Sequence, residues 1–447
     1  MDESVLPAEL LKRLSKAADA VRGHRFIHIF SHRDADGISS AAILAKALGR
    51  AGKEYQITLL KSLSAESFKK IEASLADCVI VADLGASYVK ELEALGKDVV
   101  VLDHHVARED SDRIHYVNPH LAGIDGMSDA CGATMSFAFA ATLDPANWDL
   151  LPLAFAGITG DRQHTRGLAG PNMALLRKGG NRGIIAEVRG SLVPPGPLST
   201  SLYLSTDPYV RGVSGNPAGV SELLRDAGVD GEAKGSSLDG DSSRRLASLM
   251  ALKLAAQGVD LESLKETTRP RYVAGDMDME CLAWAIDACG KSDQGGTGIL
   301  ACLGDEAALT EAMEIDYAMR EKTVNLARKL DEKGLTQMTN FQYFLSETSG
   351  FTGNVCGIAM QYIGDRSKPT VALSVSEDSV KVSARGTHPQ LERGVDLSEA
   401  LRKAAESVGG EGGGHRIASG ASFPAGREMD FLENLDAVIG DQVTHAT

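Results

Sequence analysis

No stretch of this 447-residue sequence comes near the roughly 18 consecutive apolar residues of a membrane-spanning helix, so no membrane span is expected. Cysteine is scarce and never closely paired. Cys78, Cys131, Cys281, Cys289, Cys302 and Cys356 stand apart with no C-x-x-C spacing, which argues against a zinc site built from thiolates. Their apolar settings, such as "DCVIVAD" and "ILACLGD", read as buried, reduced thiols in a cytoplasmic protein. Positive charge is in the minority: 46 Lys and Arg face 61 Asp and Glu, and a net charge of −15 argues against a broad basic face that coats nucleic acid. A nucleic-acid enzyme stays within these limits. Carboxylates gathered around metal ions count as negative in a sequence but are neutralised by the cations, and a local basic groove is enough for a short single strand. There is no internal repeat, and the acidic, amphipathic start "MDESVLPAELLKRL" reads as a surface helix and not a signal peptide.

What is present fits a globular protein of roughly two to four domains, at about 100–200 residues each. Over the first 160 residues two periods alternate. "FIHIFSH", "YQITLLKS", "CVIVADLG" and "DVVVLDHH" are short and rich in β-branched residues, whereas "ISSAAILAKALGRAG", "SAESFKKIEASLA" and "SYVKELEALGK" are helical in pattern. Such alternation predicts an α/β domain with a mostly parallel sheet and helices on both faces. "MSFAFAATL" and "DLLPLAFAGITGD" read as apolar helices packed on that sheet. This first domain is expected over residues 1–190. Residues 191–335 begin with Pro-, Gly- and Ser-rich loops around a helical unit, and end in one long amphipathic helix stopped by Gly334. A smaller α/β domain is expected over 336–447, where strand-like "TVALSVS" and "SVKVSARG" precede "EGGGHRIASGASF".

The chemistry gathers where apolar segments end. His32, Asp34 and Asp36 follow "FIHIF", Asp83 follows "CVIVA", Asp103, His104 and His105 follow "DVVVL", and Asp161 follows "LAFAGITG". In an open parallel sheet the carboxyl ends of the strands line one edge, where ligands bind. Any one of these aspartates alone would be an ordinary helix cap. Independent caps, however, would not set Asp-x-Asp, Asp and Asp-His-His after consecutive strands. Carboxylates crowded in one cleft repel unless cations hold them, and oxygen donors mixed with imidazole suit Mn²⁺, with Mg²⁺ or Zn²⁺ as substitutes. Two such ions bridged by a carboxylate form a clamp for transferring a phosphoryl group to water.

"SHRDADGISS", "VADLGA", "VLDHH" and "GITGDRQ" resemble, in order and spacing, the motifs of the DHH phosphoesterases, and "SARG" with "GGGHRIASGA" resembles the associated DHHA1 domain. Within that superfamily the likeness is to the archaeal RecJ-like single-strand exonucleases, which carry a block similar to "AWAIDACGKSDQGGTGILACLGD". The resemblance implies a DHH domain facing a DHHA1 domain across a cleft, and two Mn²⁺ ions. It implies His32, Asp34 and Asp83 on one ion and Asp36, Asp83, His104 and Asp161 on the other. It also implies His105 at the scissile phosphate or the leaving oxygen, oriented by Asp103. In some DHH relatives the histidine stands four residues before the first aspartate; here His32 stands two before Asp34. The implied activity is hydrolysis of single-stranded DNA or RNA in repair or replication. Relatives that cleave short oligoribonucleotides or small phosphorylated nucleotides supply an alternative. Replisome scaffold subunits supply another, with the GINS complex as a partner.

The second motif has its own physical reading. Gly412, Gly413 and Gly414 let backbone N–H groups approach an anion as a phosphate nest does, and Arg385, His415 and Arg416 add charged donors to phosphate oxygens. Arg162, Gln163 and His164, which follow Asp161, are expected to face the same cleft as the candidate metal ligands.

Overall fold

The computed structural model describes residues 1–445. The chain divides into two compact units, residues 1–190 with 268–318 and residues 191–267 with 319–447. The first unit opens with α1 (Ala8–Gly23), β1 (Phe26–His32), α2 (Ala35–Arg50), β2 (Glu54–Leu60), α3 (Ala65–Glu72), β3 (Cys78–Ala82), α4 (Val89–Glu93), β4 (Asp98–Leu102) and β5 (His115–Val117). It continues with α5 (Gly132–Leu143), α6 (Leu151–Gly160), α7 (Gly170–Asn181) and β6 (Ala186–Val188). The second unit starts with α8 (Leu198–Tyr203), α9 (Pro217–Ala227), α10 (Gly240–Ala256) and α11 (Leu261–Thr267). The chain then returns to the first unit through β7 (Arg271–Ala274), β8 (Met277–Asp278), α12 (Met279–Lys291) and α13 (Gly295–Leu303), and α14 (Glu306–Lys333) follows. The second unit resumes with β9 (Thr336–Gln337), β10 (Gln342–Leu345), α15 (Thr352–Ile358), β11 (Thr370–Val375), β12 (Ser379–Arg385), α16 (His388–Glu392), α17 (Leu397–Glu406), β13 (Glu411–His415), β14 (Ala418–Pro424) and α18 (Glu428–His445).

The five-stranded sheet has the order β2-β1-β3-β4-β5, and every neighbouring pair is parallel. The two-residue period of the strands sorts their side chains by face. Ile27 and Ile29, Ile80 and Ala82, Val100 and Leu102 join one core with α1, α2, α5 and α6. Phe30, Val79, Val81, Val99 and Val101 join a second core, with Ile71 of α3 and Leu92 of α4. Both faces are covered, as a parallel sheet requires. The register sets the carboxyl ends level: Ser31 pairs with Ala82, and Ala82 with Leu102, so His32, Asp83 and Asp103 come next along one edge. With this strand order the topological switch lies between β1 and β3.

In the second unit the sheet order is β13-β14-β12-β11-β10-β9, with β10 and β11 parallel and the other pairs antiparallel. Buried faces of α17 and α18 cover one side, around Leu397, Leu401, Phe431 and Leu435. α15 covers part of the other, with Val355 and Cys356. Residues 191–267 carry their own core, Leu198, Val220, Leu246 and Met250 among others, closed by Val324, Ala327, Ile358 and Tyr362. α14 ends where expected, with Gly334 in the left-handed conformation at φ +78°. Four of the six cysteines are buried, while Cys281 and Cys302 are half-buried.

Candidate metal centre

Each ligand candidate owes its position to the end of an element. Asp34 caps α2, accepting from the Gly37 N–H at 3.0 Å. Gly37 is obligatory there, because a Cβ would lie 2.2 Å from the His32 carbonyl oxygen. Asp36, in the first turn of α2, points both oxygens at the start of α5: Oδ2 accepts from Gly132 N (2.6 Å) and Oδ1 from Ala133 N (2.8 Å). The positive end of that helix holds the carboxylate in place. Asp83 follows β3 in the left-handed region, φ +55°, a conformation that costs an ordinary residue roughly 1 kcal/mol or more. Strain of this kind persists where surroundings fix a functional group.

The ligand atoms converge. His32 Nδ1 lies 2.8 Å from Asp34 Oδ2 and 3.4 Å from Asp83 Oδ2. His104 Nε2 lies 3.2 Å from Asp83 Oδ1, 3.3 Å from Asp161 Oδ2 and 3.8 Å from Asp36 Oδ2. The two oxygens of Asp83 therefore face two different groups, His32/Asp34 on one side and His104/Asp36/Asp161 on the other. Each set offers ligand atoms within 4.8 Å of one another. His32, two residues before Asp34, sits in the first set.

The electrostatics of the cluster favour added positive charge. Burial would strip the protons from the imidazoles, yet Asp34 and Asp83 push His32 up to about 11, and Asp161 and Asp83 hold His104 well above the ordinary value. Burial, with Asp83 and Asp161 close by, lifts Asp36 far out of the carboxylate range, and burial with Asp83 and Asp34 takes Asp161 up to about 7. Burial opposes the charge on Asp83, but His104 and His32 keep its carboxylate ionised. Protons occupy the places where positive charge is wanted. Divalent cations supply that charge with better geometry, and oxygen plus imidazole donors fit Mn²⁺ or Mg²⁺.

Support around the ligands fixes their chemistry. The Gly126 carbonyl accepts from His104 Nδ1 (2.7 Å) and from Gln163 Nε2 (2.8 Å). A carbonyl only accepts, so His104 carries its proton on Nδ1 and presents Nε2 to the carboxylates. Gln163 is held in turn by Asn172 (2.7 Å), and Asn172 by Thr134 (2.8 Å). Asp103 is fully buried; it accepts from Ala86 N, His104 N and His105 Nδ1, the last at 2.8 Å. It thereby orients the more exposed His105 ring. Two glycines of "GITGD" let α6 approach: a Cβ at Gly157 would stand 2.4 Å from Ala133 Cβ and 2.5 Å from Asp36 Oδ1, and one at Gly160 2.5 Å from Ala35 Cβ.

Of the residues following Asp161, Gln163 is part of this support and Arg162 is exposed at φ +58°. His164 lies in a separate buried cluster with Arg269 and Glu280. Sequence reasoning missed Gly126, Asn172, Thr134, Arg269 and Glu280. The Gly157/Gly160 spacing was the one visible sign of close helix packing at the site.

In the second unit, register aligns Thr370, Arg385, Ala418 and His415 in one row across β11, β12, β14 and β13. Arg416, in the turn beyond, pairs with Asp396 at 2.9 Å. Gly412, Gly413 and Gly414 form edge strand β13, pairing with Ala421, Gly420 and Ser419, and not a nest turn. Gly412 makes room for α17, since a Cβ would lie 2.7 Å from the Leu401 carbonyl oxygen, and Gly414 has φ +136°. Gly413 has nothing within 4 Å of its Cβ position.

Residues 26–158 match the DHH family, N-terminal domain, and residues 340–441 match the DHHA1 domain. The chain belongs to the DHH/DHHA1 phosphoesterase superfamily, and its fold is RecJ-like. An uncharacterized protein of Methanocaldococcus jannaschii is 27% identical over 452 residues, covering 97% of this chain and 99% of that one. RecJ from Thermus thermophilus in complex with Mn²⁺ is similar in structure, with TM-score 0.62 and 18% identity over 98% of this chain, which spans 55% of that RecJ chain. Its complex with Mg²⁺ gives TM-score 0.56. CDC45 from Entamoeba histolytica has TM-score 0.67 at 10% identity, covering 96% of this chain and 99% of its own. At these identities the solved structures establish the fold.

Proposed function

We propose that the protein is a divalent-metal-dependent exonuclease that hydrolyses phosphodiester bonds of single-stranded DNA or RNA in DNA repair or replication. The observation that carries this reading is the pair of ligand groups meeting at Asp83, at the switch point of a parallel sheet. His32, Asp34 and Asp83 hold one ion, and Asp36, Asp83, His104 and Asp161 the second. Mn²⁺ is the preferred ion and Mg²⁺ the alternative; RecJ of Thermus thermophilus is known with each. Bound divalent ions supply Lewis acidity that activates water and neutralises phosphate charge. The chain's own residues do the rest. Asp103 engages His105 Nδ1, so proton exchange with the departing oxygen falls to Nε2. Arg385, His415, Arg416 and the open backbone at Gly413 grip strand phosphates.

A second reading, hydrolysis of short oligoribonucleotides or small phosphorylated nucleotides, draws on the net charge of −15, since a long polyanion benefits from a long basic track. The CDC45-like fold makes a replication complex such as GINS the partner to test by co-purification.

Purified protein and its Asp83→Ala variant are to be incubated with Mn²⁺ and single-stranded DNA and RNA oligomers of several lengths, labelled at either end. Stepwise digestion of long strands is expected from the wild type, with the variant slower by at least about a thousandfold. Activity confined to the shortest oligomers would favour the second reading. Full activity in Asp83→Ala would sink the two-ion centre.

A further inference from the structure

Three ionisable side chains form a buried cluster apart from the ligand set: His164 is 1% exposed, Arg269 7% and Glu280 8%. Arg269 Nε donates to His164 Nε2 at 2.9 Å, and Arg269 Nη2 pairs with Glu280 Oε1. Glu280 Oε1 also lies 3.5 Å from His164 Nε2. Accepting at Nε2 leaves the His164 proton on Nδ1, which is buried with no hydrogen-bond partner among the described residues. Apolar residues of similar volume would fill such a space with no desolvation penalty, so the ions do not account for themselves as a source of stability.

Their placement does. His164 lies within the turn, residues 161–166, that begins with Asp161 directly after α6. That turn is pinned on one side by Gln163, whose amide shares the Gly126 carbonyl with His104. On the other side His164 is pinned to Arg269, which precedes β7, and to Glu280 in the first turn of α12. Thr159 Oγ1 adds a contact to the Met279 carbonyl at 3.2 Å, tying the last turn of α6 to the start of α12. Arg269, Met279 and Glu280 therefore anchor the last turn of α6 and the turn that carries Asp161, while Gln163 joins that turn to His104 through the Gly126 carbonyl.

We infer that Arg269 and Glu280 are positioning residues for the metal centre, acting through His164 to set where Asp161 meets the second ion. This rests on the metal-dependent reading above, and its test reads metal binding and not turnover.

Mn²⁺ binding to the full-length protein is followed by the electron paramagnetic resonance signal of free Mn²⁺, with substrate absent, alongside thermal unfolding in chelator. The double variant Arg269→Met/Glu280→Leu removes both buried charges together and is expected to unfold at or above the wild-type temperature. One of its two sites should bind Mn²⁺ about 10- to 100-fold more weakly, with the other unchanged. Wild-type affinity at both sites in that folded variant would overturn the inference. Should the double variant fail to fold, Arg269→Lys decides the matter, because it keeps the charge and loses the planar fork. A weakened second site in Arg269→Lys supports the inference, and unchanged binding overturns it. A wild type that binds no Mn²⁺ would bring down the metal-dependent reading itself, and the inference with it.

Discussion

The carboxyl edge of the five-stranded sheet and the Arg385–His415 end of the six-stranded sheet are opposite solutions to handling charge. At the first, Asp36, Asp83 and Asp103 are buried and each oxygen has a fixed partner, down to the helix start that holds Asp36. At the second, Gly413, Gly414, His415 and Arg416 are exposed, in or beside edge strand β13, and Arg416 pairs with Asp396. Like charges that share a cation must be clamped before the cation arrives, or the cluster flies apart. A group that receives a mobile polyanion must instead stay accessible. Rigidity belongs to the carboxylate and imidazole cluster, and openness to the Arg385–His415 end.

Substitutions can break or sharpen that contrast. Gly157→Ala should do most: its methyl would overlap Ala133 Cβ at 2.4 Å and Asp36 Oδ1 at 2.5 Å. A loss of about 1–3 kcal/mol in unfolding free energy is expected from overpacking, with Mn²⁺ affinity falling alongside. Denaturant melts and a metal titration check both, and an unchanged affinity would mean that the clamp tolerates slack. Arg385→Ala tests the open end, where removing charge-assisted contacts should raise KM about tenfold on single strands and leave kcat within about twofold. A fall in kcat alone would place Arg385 in the chemistry instead. Gly413→Ala is subtler. With nothing within 4 Å of the new methyl, the melting temperature should hold or rise slightly, while KM rises a few-fold if phosphate approaches that backbone.

The smallest effect sets two histidines of one strand against each other. His32 is pushed up to about 11 by its carboxylates, whereas burial, with Lys97 adding to it, takes His28 down to about 4. His28 hydrogen-bonds only hydroxyls among the described residues, those of Ser74 (2.9 Å) and Thr58 (2.8 Å). Because its folded pKa lies below the unfolded value near 6.5, the unfolded chain binds more protons between the two, so stability falls as pH drops from about 6.5 to about 4. His28→Gln should flatten that part of the curve, by roughly 1 kcal/mol once partial solvent screening is allowed for. Melting curves across that range give the answer.

The candidate cluster stood out in the chain because its residues follow closely on apolar segments, and parallel strands bring their carboxyl ends together whatever the loops do. His164 shows the limit: three residues from Asp161 in sequence, it turns to another cluster once Gln163 has taken the contact with Gly126. β5 escaped notice because a three-residue strand carries no measurable period. The glycine run was legible as glycine but not as structure. A nest and an edge strand use the same residues, and only pairing with β14 decides between them.

What the sequence determined by itself was the alternation of strand and helix, and with it the parallel sheet and the edge where aspartate and histidine collect. Those follow from local period and from the handedness of crossovers. The tertiary structure alone decided that the two oxygens of Asp83 face different partners and that His104 is protonated on Nδ1. It alone brought Arg269 and Glu280, more than a hundred residues downstream, to His164. Such contacts depend on distances across the fold, and no local pattern encodes them.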